Sequence, residues 1–431
     1  MKFRHWLGIL PVASLAFGHR LQEESITSRA ISPEQYAGLI AQFPSCALNC
    51  LTTLVQQTPC SFTDVQCMCN DDDYEDAATI CVRKACKISE ALLTKNLSEI
   101  ACGGPVRDMS ARYSVMNIVL GVFTVVLVAA RLLFRRFLSG SGKIGLDDWA
   151  ILVAILIAIG GIVINQVGLV GHGIGKDIWT LPAVELPTFA MYFFIMEVIY
   201  LVEMPLIKLS LSLFYLYVFR GTNIRRLLLG TAIFNVVFGV AFIATAVVQC
   251  MPLDYYWAQY YDYPPQGTCI DLNRFAWANA GMSLTVDLWM LILPLGQVRR
   301  LDLGWKKKIC IVFMFSMGAF VSVISLLRLK SVIFFADLIN PTWDQWNVAW
   351  WSTIEVNVGI ICTCLPTVRL ILKRMFPRTL SSGNDRSVAC LSHIGDAPPR
   401  GAETPTSSSM ELSTTALATD ARSGEKPFEN V

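Results

Sequence analysis

Glu197, Glu203 and Lys208 lie within Thr188–Phe219, a stretch whose other residues are mostly apolar. As a helix this stretch rises roughly 48 Å at ~1.5 Å per residue, more than the ~30 Å of a bilayer's hydrocarbon core. A charge at that depth costs about 2.5–3.5 kcal/mol, so such residues face a bundle interior and find partners. Asp287, Arg328, Lys330 and Glu355 sit in other apolar runs and raise the same question. Sorting them by depth gives two layers. Glu197, Arg328, Lys330 and Glu355, beside Trp350 and Trp351, form an outer one; Glu203, Lys208 and Asp287 form a deeper one. Acid and base on several helices could neutralise one another and line an outward pocket, or serve as structural ion pairs alone. Pro205, between Glu203 and Lys208, removes a helix hydrogen bond and is expected to kink the helix. Arg131, near the inner end of the first span, is expected to snorkel.

Cysteine is the second chemical signal. Eight of the 14 fall between Cys46 and Cys102, spaced Cys46-x3-Cys50-x9-Cys60-x6-Cys67-x-Cys69-x11-Cys81-x4-Cys86-x15-Cys102. They follow Met1–Gly18, which has Lys2 and Arg4, a short apolar run and then small residues, the pattern of a secretory signal peptide. An even cluster in a secreted segment reads as a disulfide framework. The cluster holds no histidine, which weakens a zinc reading. So short a segment buries little core, so bridges must stabilise it. Cys46 and Cys50 share one helix face, and Cys81 and Cys86 lie on the next helical segment. Spacing alone leaves the connectivity open. Asp64 precedes VQCMC, where it or Thr63 would cap a helix. Asn96-Leu97-Ser98 is an N-glycosylation sequon.

The chain has 431 residues, 54% hydrophobic and only 16% charged, with mean hydropathy +0.50. That is membrane-protein composition. Seven stretches reach bilayer length: 114–138, 148–171, 188–219, 227–250, 274–298, 309–335 and 347–372. Their alternate loops are asymmetric. One set carries fourteen cations, from Arg135 and Arg136 through Lys306–Lys308 to Arg378, and the other carries Lys176 and Arg274. The positive-inside rule puts the first set in the cytoplasm, and an odd span number then puts the N-terminus outside, as a signal peptide requires. Cys250 and Cys269 fall on the outer side, where a bridge is expected. Cys310, Cys362, Cys364 and Cys390 are expected to be free. The division is therefore a signal peptide (1–18), an extracellular module (19–109), a seven-span domain (110–377) and a disordered cytoplasmic tail (378–431) rich in Ser, Thr, Gly and Pro. The fold class is all-α. The basic residues form no nucleic-acid footprint. No phosphate loop or Ser-His-Asp arrangement stands out, so an enzyme is not expected.

The cysteine spacing, the proline two before Cys46 and the Thr63-Asp64 ahead of Cys67-x-Cys69 resemble the CFEM domain, an eight-cysteine module of fungal extracellular membrane proteins. The resemblance implies a helical cap with pairs Cys46–Cys86, Cys50–Cys81, Cys60–Cys67 and Cys69–Cys102. In haem-binding members an aspartate at the position matching Asp64 is the axial iron ligand. A carboxylate oxygen suits ferric iron, so such a site would release haem on reduction. Other members serve in adhesion or recognition.

LDDW at 146–149, GHGIGKDIW at 171–179, KLSLSLFYLYVFRG at 208–221, Cys250-Met-Pro with Trp257 and Cys269, Asp287 with Pro294, and CTCLPTVRLI at 362–371 resemble the fungal seven-helix rhodopsin-domain family. That resemblance implies a plasma-membrane receptor of the G-protein-coupled type. The third span ends FRG, without the acidic-Arg-aromatic triplet of animal receptors, and the seventh lacks Asn-Pro-x-x-Tyr, so coupling to a heterotrimeric G protein or another transducer is an analogy. No lysine lies inside the seventh span, so no retinal Schiff base has a candidate. The expectation is a receptor for an unidentified external ligand. The alternatives are a haem-binding, iron-acquiring surface protein and a transporter, the latter weakened by the lack of an internal repeat.

Overall fold

The computed structural model describes residues 38–61, 64–138, 145–218, 221–298, 305–334 and 340–375. The expected signal peptide and tail, Thr63, Cys390 and the side chain of Cys310 lie outside the described residues.

Four helices build the N-terminal module: α1 (Ser45–Val55), α2 (Val65–Cys69), α3 (Asp72–Ala85) and α4 (Ile88–Cys102). The starts of α2, α3 and α4 follow from side chains that accept otherwise unpaired amides. Asp64 Oδ1 accepts from the Cys67 amide at 3.1 Å, Asp71 Oδ1 from that of Tyr74 at 3.1 Å, and Glu90 Oε2 from that of Lys87 at 3.1 Å. In α3, acids in the first turn and Arg83 and Lys84 in the last complement the helix dipole. The core cluster is small, Ala47, Cys50 and Val82 with a few half-buried neighbours, and Val55, Cys60 and Leu97 are buried beside it. Bridges Cys46–Cys86 and Cys50–Cys81 staple α1 to α3 and its C-cap, Cys60–Cys67 anchors α2, and Cys69–Cys102 ties α2 to α4. This is the pairing that the resemblance implies.

Seven long helices follow among the described residues. They are α5 (Ser110–Leu133), α6 (Leu146–Ile164), α7 (Glu185–Val218), α8 (Thr222–Val247), α10 (Leu272–Val298), α11 (Trp305–Phe334) and α12 (Pro341–Met375). All seven are long and apolar enough to cross a bilayer. α5 and α6 end in π-helical turns, Phe134–Leu138 and Asn165–Val170. A short helix, α9 (Tyr255–Ala258), lies between α8 and α10. It is flanked by β1 (Cys250–Met251) and β2 (Thr268–Cys269), which pair antiparallel and are joined by the Cys250–Cys269 disulfide.

All seven begin two to six residues earlier than the apolar runs, because the groups that meet the first amides, and not hydropathy, set a helix end. α12 opens on Pro341, a residue suited to a first turn, and the Asn340 carbonyl accepts from Trp343 and Asp344. The outward faces are apolar: Val115, Val119, Val122 and Val126 on α5, Val236, Val237 and Val240 on α8, and Phe320, Val323 and Leu326 on α11 are exposed. Polar residues lie inside. α7 is the central helix, packing against α6, α8 and α12. It stays helical through Pro205. α8 approaches that ring closely, since a Cβ at Gly239 would lie 2.7 Å from it.

Candidate functional site

A continuous polar path crosses the bundle interior. Arg328 on α11 donates through Nε to Ser352 Oγ at 2.9 Å and through Nη1 to the Tyr200 hydroxyl, and its guanidinium lies 3.8 Å from the Tyr200 ring centroid. The Tyr200 hydroxyl donates to Glu355 Oε2 at 2.9 Å. Ser325 Oγ lies 2.6 Å from Glu355 Oε1 and 2.9 Å from Asp287 Oδ2. Asp287 Oδ1 then pairs with Lys208 Nζ at 3.0 Å, and Lys208 also donates to the Ser283 carbonyl and hydroxyl, each at 2.8 Å. Two acids and two bases on α7, α10, α11 and α12 thus neutralise one another.

The two layers expected from depth are corrected here. Glu355 and Asp287 share Ser325, so the layers are one path. Glu197 and Glu203 stand apart from it. Glu197 accepts from Gln249 Nε2 at 3.2 Å. Glu203 is 4% exposed, and its Oε1 has no hydrogen-bond partner among the described residues. Depth fixes only height on a helix; the 3.6-residue turn sets direction. Tyr200 and Ser325 were missed as members. Ser325 had a signal in spacing, because it lies one turn before Arg328; Tyr200 had none, since its partners Arg328 and Glu355 lie on other helices.

Above the path lies a cavity of about 230 Å³, lined from every long helix except α8. Glu197, Tyr200, Glu203, Asn279 and Arg328 supply polar groups, Phe189, Phe193 and Met196 an apolar wall, and Tyr256, Gln259 and Tyr260 of the α8–α10 connection its rim. Asn165 also lines the cavity, and its Oδ1 is buried with no hydrogen-bond partner among the described residues.

At the module end, GHGIGKDIW clamps the bundle. Asp177 is buried and accepts from Arg107 at 2.5 Å and from Asn340 at 2.8 Å. Gly175 has φ +80°, and a Cβ there would lie 2.7 Å from Trp346. Its backbone bonds Met109 and Thr342, at the starts of α5 and α12. The module rests on the neighbouring loop. Asp262 accepts from the Ser89 amide and hydroxyl, both at 2.8 Å, and these bonds hold its carboxyl below the usual carboxylate range. Lys87 Nζ lies 4.8 Å from the Tyr263 ring centroid, and Lys95 Nζ 5.3 Å from that of Trp179.

At the other end, Arg131 does not snorkel. It is 1% exposed and pairs with Asp148 at 3.0 Å and Asp147 at 2.7 Å while donating to the Thr363 carbonyl. Arg135 pairs with Asp148 at 2.5 Å and Asp147 at 2.9 Å. LDDW and CTCLP therefore meet through one guanidinium. Cys362 and Cys364 are free thiols.

Asp64 is exposed and uses Oδ1 as the cap of α2. Its Oδ2 is not needed for the cap, so capping and ligation of a ferric iron are compatible at this residue. Cys46, Cys86 and Glu90 also converge, but both sulfurs are committed to a disulfide. Asn96 lies within α4, half-buried, and Ser98 of its sequon donates to the Thr94 carbonyl.

Seven bilayer-length helices around an interior with two buried ion pairs, Lys208–Asp287 and Arg328–Glu355, define a multi-pass membrane protein, here joined to a disulfide-stapled helical module. Residues 130–374 match the fungal rhodopsin domain and residues 39–103 the CFEM domain. The chain belongs to the fungal rhodopsin domain family and carries a CFEM domain. A SAT4 family membrane protein of Emericella nidulans is 28% identical over 208 residues, 48% of this chain and 52% of that protein. Receptor GIN3 of Arthrobotrys oligospora is 25% identical over 190 residues, 44% of this chain and 45% of that protein. Fugralins biosynthesis cluster protein 2 of Gibberella zeae is 25% identical over 134 residues, 31% of this chain and 32% of that protein. The matches thus span about half or less of these relatives' length. No solved structure matches the chain.

Proposed function

We propose that the chain is a plasma-membrane receptor of the G-protein-coupled type, with its module outside and its C-terminal tail in the cytoplasm. The observation that carries this reading is the unbroken path from Arg328 and Tyr200, which line the cavity, to Asp287 and Lys208. A ligand in the cavity would touch two members of a chain whose remaining members join α10 and α12 to α7. In a low-dielectric interior, re-pairing one member forces the next to re-pair. The module docks on the loop whose tyrosines rim the cavity, so both would bias the same helices. The cation asymmetry between loops supports the orientation, and similarity to Receptor GIN3 supports the receptor class. The cytoplasmic partner, a heterotrimeric G protein or another transducer, would meet the face carrying Lys306–Lys308.

The test is the full chain in lipid nanodiscs, spin-labelled near the inner ends of α7 and α11, with G-protein nucleotide exchange measured in parallel. Ser325→Ala and Glu355→Gln break the path. Each is expected to shift the label distances and to change basal exchange by about tenfold, the effect of a ~1.4 kcal/mol coupling. Unchanged distances in both variants would end the reading. A second reading, favoured by the exposed Asp64 with Oδ2 free of the cap, makes the module a haem-binding, iron-acquiring surface unit.

A further inference from the structure

Glu203 is costly as it stands. A buried carboxylate without a partner loses its hydration and receives nothing in return. The path just below offers two cations, yet Lys208 is taken up by Asp287 and Ser283, and Arg328 by Tyr200, Ser352 and Glu355. Glu203 instead lines the cavity. Among the described residues Arg328 is the one cation in that lining, and its charge is matched by Glu355, which lies outside the lining. The lining therefore carries two acids, of which Glu197 accepts from Gln249 and faces Arg328, while Glu203 is left with no partner among the described residues. Aromatic rings at Phe189, Phe193 and Tyr256 complete the walls.

We infer that this cavity takes a small organic cation, a protonated primary or secondary amine on an apolar body, with Glu203 as its counter-ion. The ammonium supplies the N–H donor that Oε1 lacks and a charge that the aromatic faces favour. An anionic ligand would meet two carboxylates and no free base. A quaternary ammonium would supply charge without a donor and leave Oε1 unsatisfied. The inference rests on reading the cavity as the receptor's ligand site and adds the chemistry of that ligand.

The experiment uses the full chain in nanodiscs and the probes phenethylamine and octylamine, each beside its matched alcohol, carboxylate and trimethylammonium counterparts. Binding is read by calorimetry and by the shift in thermal unfolding. The expected result is saturable binding of at least one amine, at least about tenfold tighter than its three counterparts, and weakened at least about tenfold by Glu203→Gln. The same variant without ligand is expected to unfold at no lower a temperature, because Glu203 has no hydrogen-bond partner to lose among the described residues. Equal binding of amine and alcohol, preference for the carboxylate or the trimethylammonium ion, no binding of either amine, or affinity indifferent to Glu203→Gln would overturn the proposal. No transducer is present in this assay, so its failure leaves the test of the polar path untouched.

Discussion

Arg131 is nearly inaccessible, and its guanidinium reaches Asp147, Asp148 and the Thr363 carbonyl at once. Only the planar, multiply donating fork of arginine serves three acceptors on two helices. Removing it leaves Asp148, itself 0% exposed, with Arg135 as the one cation paired to it among the described residues, beside a bond from the Gly145 amide. Breaking a buried pair on one side costs more than deleting the pair. Arg131→Met is therefore expected to destabilise the chain by about 3–5 kcal/mol, and the double variant with Asp148→Asn to recover part of that loss. Thermal unfolding in detergent checks both. An Arg131→Met chain as stable as its parent would mean that the cluster is solvated in the membrane.

Elements in this chain are fixed at their ends by groups from elsewhere. The start of α12 and the start of α5 are held by backbone groups of Gly175 and its neighbours. The first turn of α4 receives the carboxylate of Asp262 from a loop far along the chain. Because bonding to Ser89 lowers the Asp262 pKa, the sign of the pH effect follows by linkage. The docked state is favoured above the undocked carboxylate pKa of about 3.9, and that contribution is lost as pH falls through the depressed value. Protection of the amides at the start of α4 against hydrogen exchange, taken relative to the intrinsic rate at each pH, is expected to fall on acidification in the parent chain. In Asp262→Asn it should be low throughout. An identical pH profile in the two chains would remove Asp262 from docking.

The whole molecule joins two units with different means of stability. The module relies on four disulfides around a small core, and the bundle on apolar faces outward with most polar groups paired within. Each could carry its own ligand. Under the haem reading, titrating the full chain with ferric haem should give a saturable Soret band that an Asp64→Ala copy lacks. A band indifferent to that change would leave Asp64 a helix cap, whose loss costs about 1 kcal/mol of module stability.

The seven helices were legible in the sequence because bilayer length and apolar composition are local properties. The side of each loop was expected from charge counting for the same reason. The module was recognisable because cysteine spacing survives as a string. That Glu197, Glu203, Lys208, Asp287, Arg328 and Glu355 needed explaining was also evident, since the cost of a charge depends on its surroundings and not on its partner. Which of them pair was decided only by tertiary structure. Lys208 meets Asp287 and not Glu203, Ser325 unites two carboxylates, and Arg131 turns inward, because rotation about each helix axis and the packing of neighbouring helices set those distances.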